Sequence, residues 1–359
     1  MSKLEFTDKK KSLLEDSKKK LLLWFLKNKR NLPFRKNRNP YTVWVSEVML
    51  QQTRMNTIFP LYQNFINRFP NIKILSETTE EEVLSFWKGL GYYSRALNLK
   101  KGAKYVIDHF SGEIPSELEK LIQIPGIGAY TARAISSIAF HKPYAVLDGN
   151  VKRVISRLFL FEEIVGTAKS EKKLQGFADE FLNTKFPGDH NEAMMELGSS
   201  ICNKVPNCEI CPLSSVCIAR KYFKEKKIPI FQNKRKKIPI ELHFLLLKKN
   251  EKALMVKYRN RRFFKTIFTP PFVIIGEKLP AEYRNEKWIE EIFLSKKRIE
   301  YPSFRSHSIT HHNIKLKVSK IEYDMGYDND CEVKWCKLNQ LEQNFHSSIA
   351  SKLMKIISD

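Results

Sequence analysis

Apolar residues recur at three- and four-residue steps from Leu21 to about Arg220, a period that predicts a helical domain. Ile58-Phe59-x-Leu61-Tyr62-x-x-Phe65-Ile66 and Val151-x-x-Val154-Ile155-x-x-Leu158 are typical stretches, separated by Pro and Gly. Between Arg220 and Lys237 the pattern lapses: nine Lys or Arg, one acid, Pro229 and no strong apolar face predict a linker. Beyond Ile238 the period shortens. Glu241–Leu247, Ala253–Val256 and the cleanly alternating Ile314–Val318 read as strands, and Glu286–Phe293 and Ser347–Ile357 as helices. The expected organisation is multidomain: all-α over 1–219, a basic linker over 220–238, and α+β over 239–359.

Composition narrows the partners. The 359 residues suffice for two cores. A formal net charge of +24 and a pI near 9.6 favour a polyanion, with nucleic acid ahead of an acidic membrane surface. The apolar run Leu21–Leu26 is far shorter than the ~20 residues that span a bilayer. Met1–Lys20 is mostly polar and charged, unlike a signal peptide. A soluble, cytoplasmic and nucleoid-associated monomer is expected, with no membrane partner. The linker carries no signal that assigns or excludes a contact with a replication clamp.

The sharpest chemical signal is Cys202-x5-Cys208-x2-Cys211-x5-Cys217. Thiolates clustered this tightly suit one soft metal centre, either a [4Fe–4S] cluster or a zinc ion. Disulfides fit an intracellular chain poorly, because thiols stay reduced there. Cys331 and Cys336 lie far off and read as ordinary thiols. A second signal is Leu121–Ala132, which reads as helix, hairpin, helix. Pro125 ends one helix, Gly126 and Gly128 allow a tight turn, and the next helix starts near Ala129. Unpaired backbone N–H groups there, at the positive end of a helix dipole, suit a DNA phosphate.

From about Leu21 to Cys217 the chain resembles the endonuclease III superfamily of DNA glycosylases, and within it the MutY-type adenine DNA glycosylases. The resemblance rests on Leu32–Arg35, Val43–Arg54 with its Ser46-Glu47-Val48-Met49-Leu50-Gln51-Gln52, Gly89-Leu90-Gly91-Tyr92-Tyr93-Ser94-Arg95, Val146–Val151 and Asn191–Gly198, in the family's order. It implies an all-α helix–hairpin–helix glycosylase with an iron–sulfur cluster loop, followed by an α+β Nudix-like domain. It also implies that adenine mispaired with 8-oxoguanine or guanine is removed from double-stranded DNA, and that Cys202, Cys208, Cys211 and Cys217 hold [4Fe–4S]. The first cysteine gap departs from the family: six residues are usual, and Asn203–Asn207 makes five, with Pro206 in the shortened loop.

Releasing adenine from deoxyribose needs a proton on the base and stabilisation of a sugar cation. Two carboxyls with separated pKa values can supply both. Glu47 sits in an apolar helix among Val45, Val48, Met49 and Leu50, where desolvation is expected to raise its pKa. Asp148 precedes the helical run Val151–Phe159, and the helix N-terminus is expected to keep it ionised. The resemblance gives these residues the acid and cation-stabilising roles, with Asn150 in the same catalytic set. Tyr130 stands where lyase relatives carry a Schiff-base lysine, so a monofunctional enzyme follows; its expected role is to hold Asp148 or the sugar. By the same resemblance Gln52 and Tyr92 enter the duplex during base extrusion. Arg35 and Glu192 line the adenine pocket, with Leu50 and Met55 as apolar walls and Phe34 in place of the family's tryptophan.

Residues 239–359 resemble the C-terminal domain of the same enzymes more weakly. His307-Ser308-Ile309-Thr310-His311 matches an H-x-F-S-H loop, which makes Thr310 and His311 the expected readers of 8-oxoguanine. Glu286-Lys287-Trp288-Ile289-Glu290-Glu291 lacks the REx2EE order of a Nudix hydrolase, so a reader without hydrolase activity is expected. The rival readings are an oxidised-pyrimidine lyase, opposed by Tyr130, and a non-catalytic DNA-binding redox sensor.

Overall fold

A computed structural model describes residues 8–53, 55–232, 237–258, 263–264, 267–277, 279, 283, 285–294, 298–309, 312–322, 331–345 and 347–359. Helices α1 (Asp8–Asn28), α2 (Pro33–Lys36), α3 (Pro40–Leu50), α4 (Met55–Arg68) and α5 (Ile72–Glu77) open the chain. They are followed by α6 (Glu80–Phe86), α7 (Ser94–Phe110), α8 (Leu118–Gln123), α9 (Ala129–Ile138) and α10 (Gly149–Leu158). After strand β1 (Ile164–Val165) come α11 (Ala168–Phe181), α12 (Pro187–Ser200), α13 (Ile218–Lys221) and β2 (Ile230–Phe231). Contacts divide the chain into two compact units, residues 1–78 with 98–233, and residues 79–97 with 234–359. Among the described residues no helix is long and apolar enough to cross a membrane.

Local signals set the helix starts. Asn39 caps α3 by accepting from Thr42 N at 2.9 Å, with Pro40 in the first turn. Tyr41 through Met49 of this helix are all buried, the mark of a helix lodged inside a core. Thr167 and Ser170 form a reciprocal capping box that opens α11. The basic stretch is not wholly a linker: β2 pairs in parallel with β1, and Arg157 Nε donates to Ile228 O at 2.8 Å. Backbone pairing and a buried guanidinium anchor its first part to the helical unit, an outcome that counting its lysines does not foresee.

The C-terminal region is a mixed β-sheet. Strands β3 (Ile238–Lys249), β4 (Lys252–Tyr258), β5 (Phe272–Ile275), β6 (Ile299–Glu300), β7 (Arg305–Ile309), β8 (His312–Glu322) and β9 (Cys331–Lys337) build it. Their order is β6-β8-β3-β4-β9, with β5 added on β3 and β7 on β8. The long central pair β3–β8 is parallel. Helix α14 (Lys287–Leu294) brings Ile289 to Leu245 and Leu247, while Phe244 meets Phe345 after α15 (Leu341–Asn344). Both faces of β3 are therefore covered, which is why Phe244–Leu247 is an unbroken apolar run. Helix α16 (Ser348–Ser358) closes the chain. The expected strands of this region all appear, each extended at both ends, and the two expected helices appear shifted by one residue.

The hairpin is seated on α3 by a close approach. A Cβ on Gly102 of α7 would lie 2.7 Å from both Pro125 O and Trp44 Cζ2. Backbone and a buried indole cannot yield cheaply. Gly102→Ala is expected to lower stability by about 1–3 kcal/mol through overpacking, outweighing the roughly 1 kcal/mol that alanine gains in a helix. A thermal melt checks this, and an unchanged or raised Tm would contradict the seating.

Candidate active site

One cavity of about 690 Å³ in the helical unit gathers the residues that the sequence singles out. Arg35, Glu47, Leu50, Gln52, Gly128, Tyr130, Asp148, Asn150 and Glu192 all line it, as does Phe34. Glu47 projects from the buried α3. Its surroundings push its pKa up to about 7: burial acts first, the Tyr130 hydrogen bond opposes it, and the charges of Asp148 and Glu192 add to it. Tyr130, in the first turn of α9, donates to Glu47 Oε2 at 2.6 Å, and its oxygen is 3.5 Å from Met195 Sδ. Of the expected partners, Asp148 or the sugar, the bond shown reaches neither: the hydroxyl at the first turn of α9 is directed to Glu47 on α3.

Asp148 is the N-cap of α10 and accepts from Val151 N at 2.7 Å. Asn150 Nδ2 donates to its other oxygen at 3.3 Å. Burial nevertheless raises its pKa above the ordinary aspartate value, opposed by the bonds to Val151 and Asn150 and by the Arg153 charge. The bonds at the helix terminus, expected to keep Asp148 ionised, thus oppose the rise that burial causes. The approach to Asp148 is fixed by Asn191, which is buried and accepts from Val146 N at 3.1 Å. It also donates to Ser137 Oγ and to Tyr144 O, both at 2.8 Å. Close packing of α12 fixes the far side, where a Cβ on Gly198 would sit 2.7 Å from Asn150 Cβ.

The opposite wall is ionic. Glu192 is buried and pairs with Arg35 Nε at 3.5 Å and with Arg38. Arg38 also binds Asp189 at 2.6 Å. Glu196, Arg30, Met195 and Ser199 line the same cavity and were not singled out from sequence. The available signal was helical spacing: Glu196 lies four residues after Glu192, on the same face. Met55 begins α4, but its side chain lies outside the described residues, as do Thr310 and His311 between β7 and β8. Gln52 and Tyr92 both hold left-handed backbones, φ 58° and 47°, and both are exposed. Arg95 lies over the Tyr92 ring at 5.5 Å.

At the hairpin, Gly126 takes φ 84° and Gly128 is the N-cap of α9 without any side-chain cap. A Cβ on Gly128 would meet nothing, so the turn leaves open space beside the start of α9. Elsewhere, Cys202, Cys208, Cys211 and Cys217 line a single small cavity with Arg157. The shortened loop therefore still delivers Cys208. Arg157 Nη1 lies 3.3 Å from Cys202 Sγ. Burial pushes the Cys211 thiol up to about 12 and Cys217 to about 11. Among the described residues no set of three or more metal-ligating side chains is already drawn to binding distance. The donor set nonetheless fits a soft metal centre, being four sulfurs around one cavity.

Comparison with known proteins places this geometry. Residues 45–180 match the family model described as "HhH-GPD superfamily base excision DNA repair protein". The chain is 33% identical over 321 residues to the adenine DNA glycosylase of Buchnera aphidicola subsp. Baizongia pistaciae, covering 87% of this chain and 88% of that one. It is 38% identical over 254 residues to that of Buchnera aphidicola subsp. Acyrthosiphon pisum, covering 70% and 72%. Among solved structures, a thermostable thymine-DNA glycosylase superposes with TM-score 0.54 at 26% identity, over 60% of this chain and 100% of that one. The hairpin fold and the matches define a base excision DNA repair protein. The chain belongs to the adenine DNA glycosylase family.

The Glu47 shift has a thermodynamic consequence. Its folded pKa exceeds the unfolded value, so the native state binds the proton more tightly, and stability falls as pH rises from about 4.5 to about 7. Glu47→Gln removes the buried charge and keeps an acceptor for Tyr130. It is expected to stabilise the protein by about 1–3 kcal/mol at pH 8, and by little at pH 4. Melting curves at the two pH values check this, and equal shifts at both would contradict it.

Proposed function

We propose that this adenine DNA glycosylase excises adenine lying opposite 8-oxoguanine or guanine in duplex DNA, by hydrolysis and without cutting the strand. The observation that carries the reading is the shared cavity: a carboxyl raised towards neutrality and a hydrogen-bonded aspartate flank one space. The target nucleoside is everted into it, since the bond is out of reach within the stack. Protonated Glu47 gives its proton to N7 of adenine. The C1′–N9 bond breaks with its electron pair leaving on the base. Positive charge develops on the sugar beside ionised Asp148, which Val151 N and Asn150 orient; water then bonds its oxygen to C1′ and gives up a proton that restores the Glu47 acid. Tyr130 holds Glu47 in place and supplies no amine for an imine.

Arg35 and Glu192 form the polar wall for the base, with Leu50 and Met55 as apolar walls. Gln52 and Tyr92 act as wedges in the duplex, a role supported by the strained backbone that each holds. Gly126 and Gly128 open the hairpin to a phosphate. The basic charge of the chain favours double-stranded DNA through its backbone. The C-terminal region serves as a Nudix-like reader of 8-oxoguanine through Thr310 and His311. The four cysteines hold [4Fe–4S], which when bound ties the 202–217 loop through thiolate bonds.

Duplexes carrying A opposite 8-oxoguanine, G and T test the reading. Adenine is expected from the first two, with strand breaks only after heat and alkali, and with no borohydride-trapped adduct. Efficient trapping, or release of oxidised pyrimidines instead, would favour the lyase. Iron and acid-labile sulfide are expected in the purified protein, and zinc alone would contradict the cluster.

A further inference from the structure

The cavity wall opposite the reacting carboxyls carries an ion-pair device in which Glu196 and Arg30 have no part in base release as derived above. Glu196 on α12 is 2% exposed, yet both of its oxygens are engaged. Oε1 accepts from Arg30 Nε at 2.6 Å, and Oε2 accepts from Arg35 Nη2 at 2.7 Å. Arg30 Nη2 continues to Ser199 Oγ at 3.0 Å, and Arg35 Nη1 reaches Arg30 O at 3.3 Å. Phe25 backs the Arg35 guanidinium at 5.2 Å. One buried carboxylate therefore fixes two cations that both border the cavity.

A guanidinium has five donors, and these bonds leave several unspent on each arginine. Everted adenine offers ring nitrogens that accept. Two like charges a carboxylate's width apart repel, and long arginine side chains are costly to immobilise. Without the carboxylate between them, Arg30 keeps Ser199 Oγ and Arg35 keeps Arg30 O and the longer Glu192 contact at 3.5 Å, so both stay in the wall but are oriented less firmly.

Resting on the reading that this cavity takes everted adenine, we propose that Glu196 is a positioning residue for excision: it clamps Arg30 and Arg35 so that their remaining N–H groups meet the base. The clamp also bears on the acid. Tyr130, Asp148, Glu192 and Arg35 are the groups that act most strongly on Glu47 after burial, and of these Arg35 is the cation. With Glu196 neutralised, Glu192 alone offsets the Arg35 charge, so Glu47 would lose its proton at lower pH.

Single-turnover adenine release from an A:8-oxoguanine duplex, followed across roughly pH 5.5–9, tests the clamp. Glu196→Gln is expected to slow release about 10- to 100-fold, while affinity for a duplex that cannot be cleaved changes less than about threefold. The alkaline limb is expected to move to lower pH, and Glu196→Asp, which keeps the charge, to recover much of the rate. Added to Arg35→Gln, Glu196→Gln should cost less than about threefold more, since both disable one unit. Arg30→Gln breaks one arm from an arginine that is 43% exposed. It serves if the carboxylate variant does not fold: slowed release is expected, and because a cation is lost the limb should not move to lower pH. Full activity in Glu196→Gln, or losses that multiply with those of Arg35→Gln at an unmoved limb, would overturn the clamp. Wild-type release that Glu47→Gln abolishes secures the underlying reading separately, so a silent Glu196 counts against the clamp alone.

Discussion

The structure turns on the desolvation of one carboxyl group. Glu47 stands in a helix whose other residues are almost all buried, and removal from water lifts its pKa to about 7. A single hydroxyl, that of Tyr130, satisfies it without a full countercharge. Asp148 is also buried but takes a backbone N–H, a side-chain amide and a neighbouring guanidinium charge, so the same desolvation is largely opposed. Unequal hydrogen bonding is what separates two otherwise similar acids around one space.

That separation depends on backbone precision supplied from a distance. Buried Asn191 ties the strand-like approach to Asp148 back onto α9 and Tyr144. Gly198 lets α12 close on Asn150, and Gly102 lets α7 close on the hairpin and Trp44. Each contact brings two helices nearer than any side chain would allow. The carboxyls, one within α3 and one at the start of α10, are therefore held by packing between helices, as preorganised sites require. The ionic wall of Arg30, Arg35 and Glu196 extends this logic to the base-binding side.

Much of this was legible in the sequence, and the exceptions share a cause. Strands β3, β4 and β8 and helices α10, α14 and α16 follow from local period, and the hairpin from Pro125, Gly126 and Gly128. Cys208 keeps its place despite the shorter gap. What escaped depends on pairs remote in sequence: Glu196 meets Arg30 across 166 residues and Arg35 across 161. Tyr130 finds Glu47 83 residues away, where the expected partner is Asp148 or the sugar. The sign of the Asp148 shift also needed the depth of burial, which no spacing reveals. Likewise, β2 pairs with β1 across the whole of α11 and α12, so its basic flanks read only as linker.

The most direct measurement is an infrared titration of the buried carboxyl, taken as the difference between wild type and Glu47→Gln. A protonated carboxyl band that persists to neutral pH and disappears near pH 7 is the expected result. A band lost near the ordinary glutamate value, well below neutrality, would contradict the account, because no proton would then be held ready for the base.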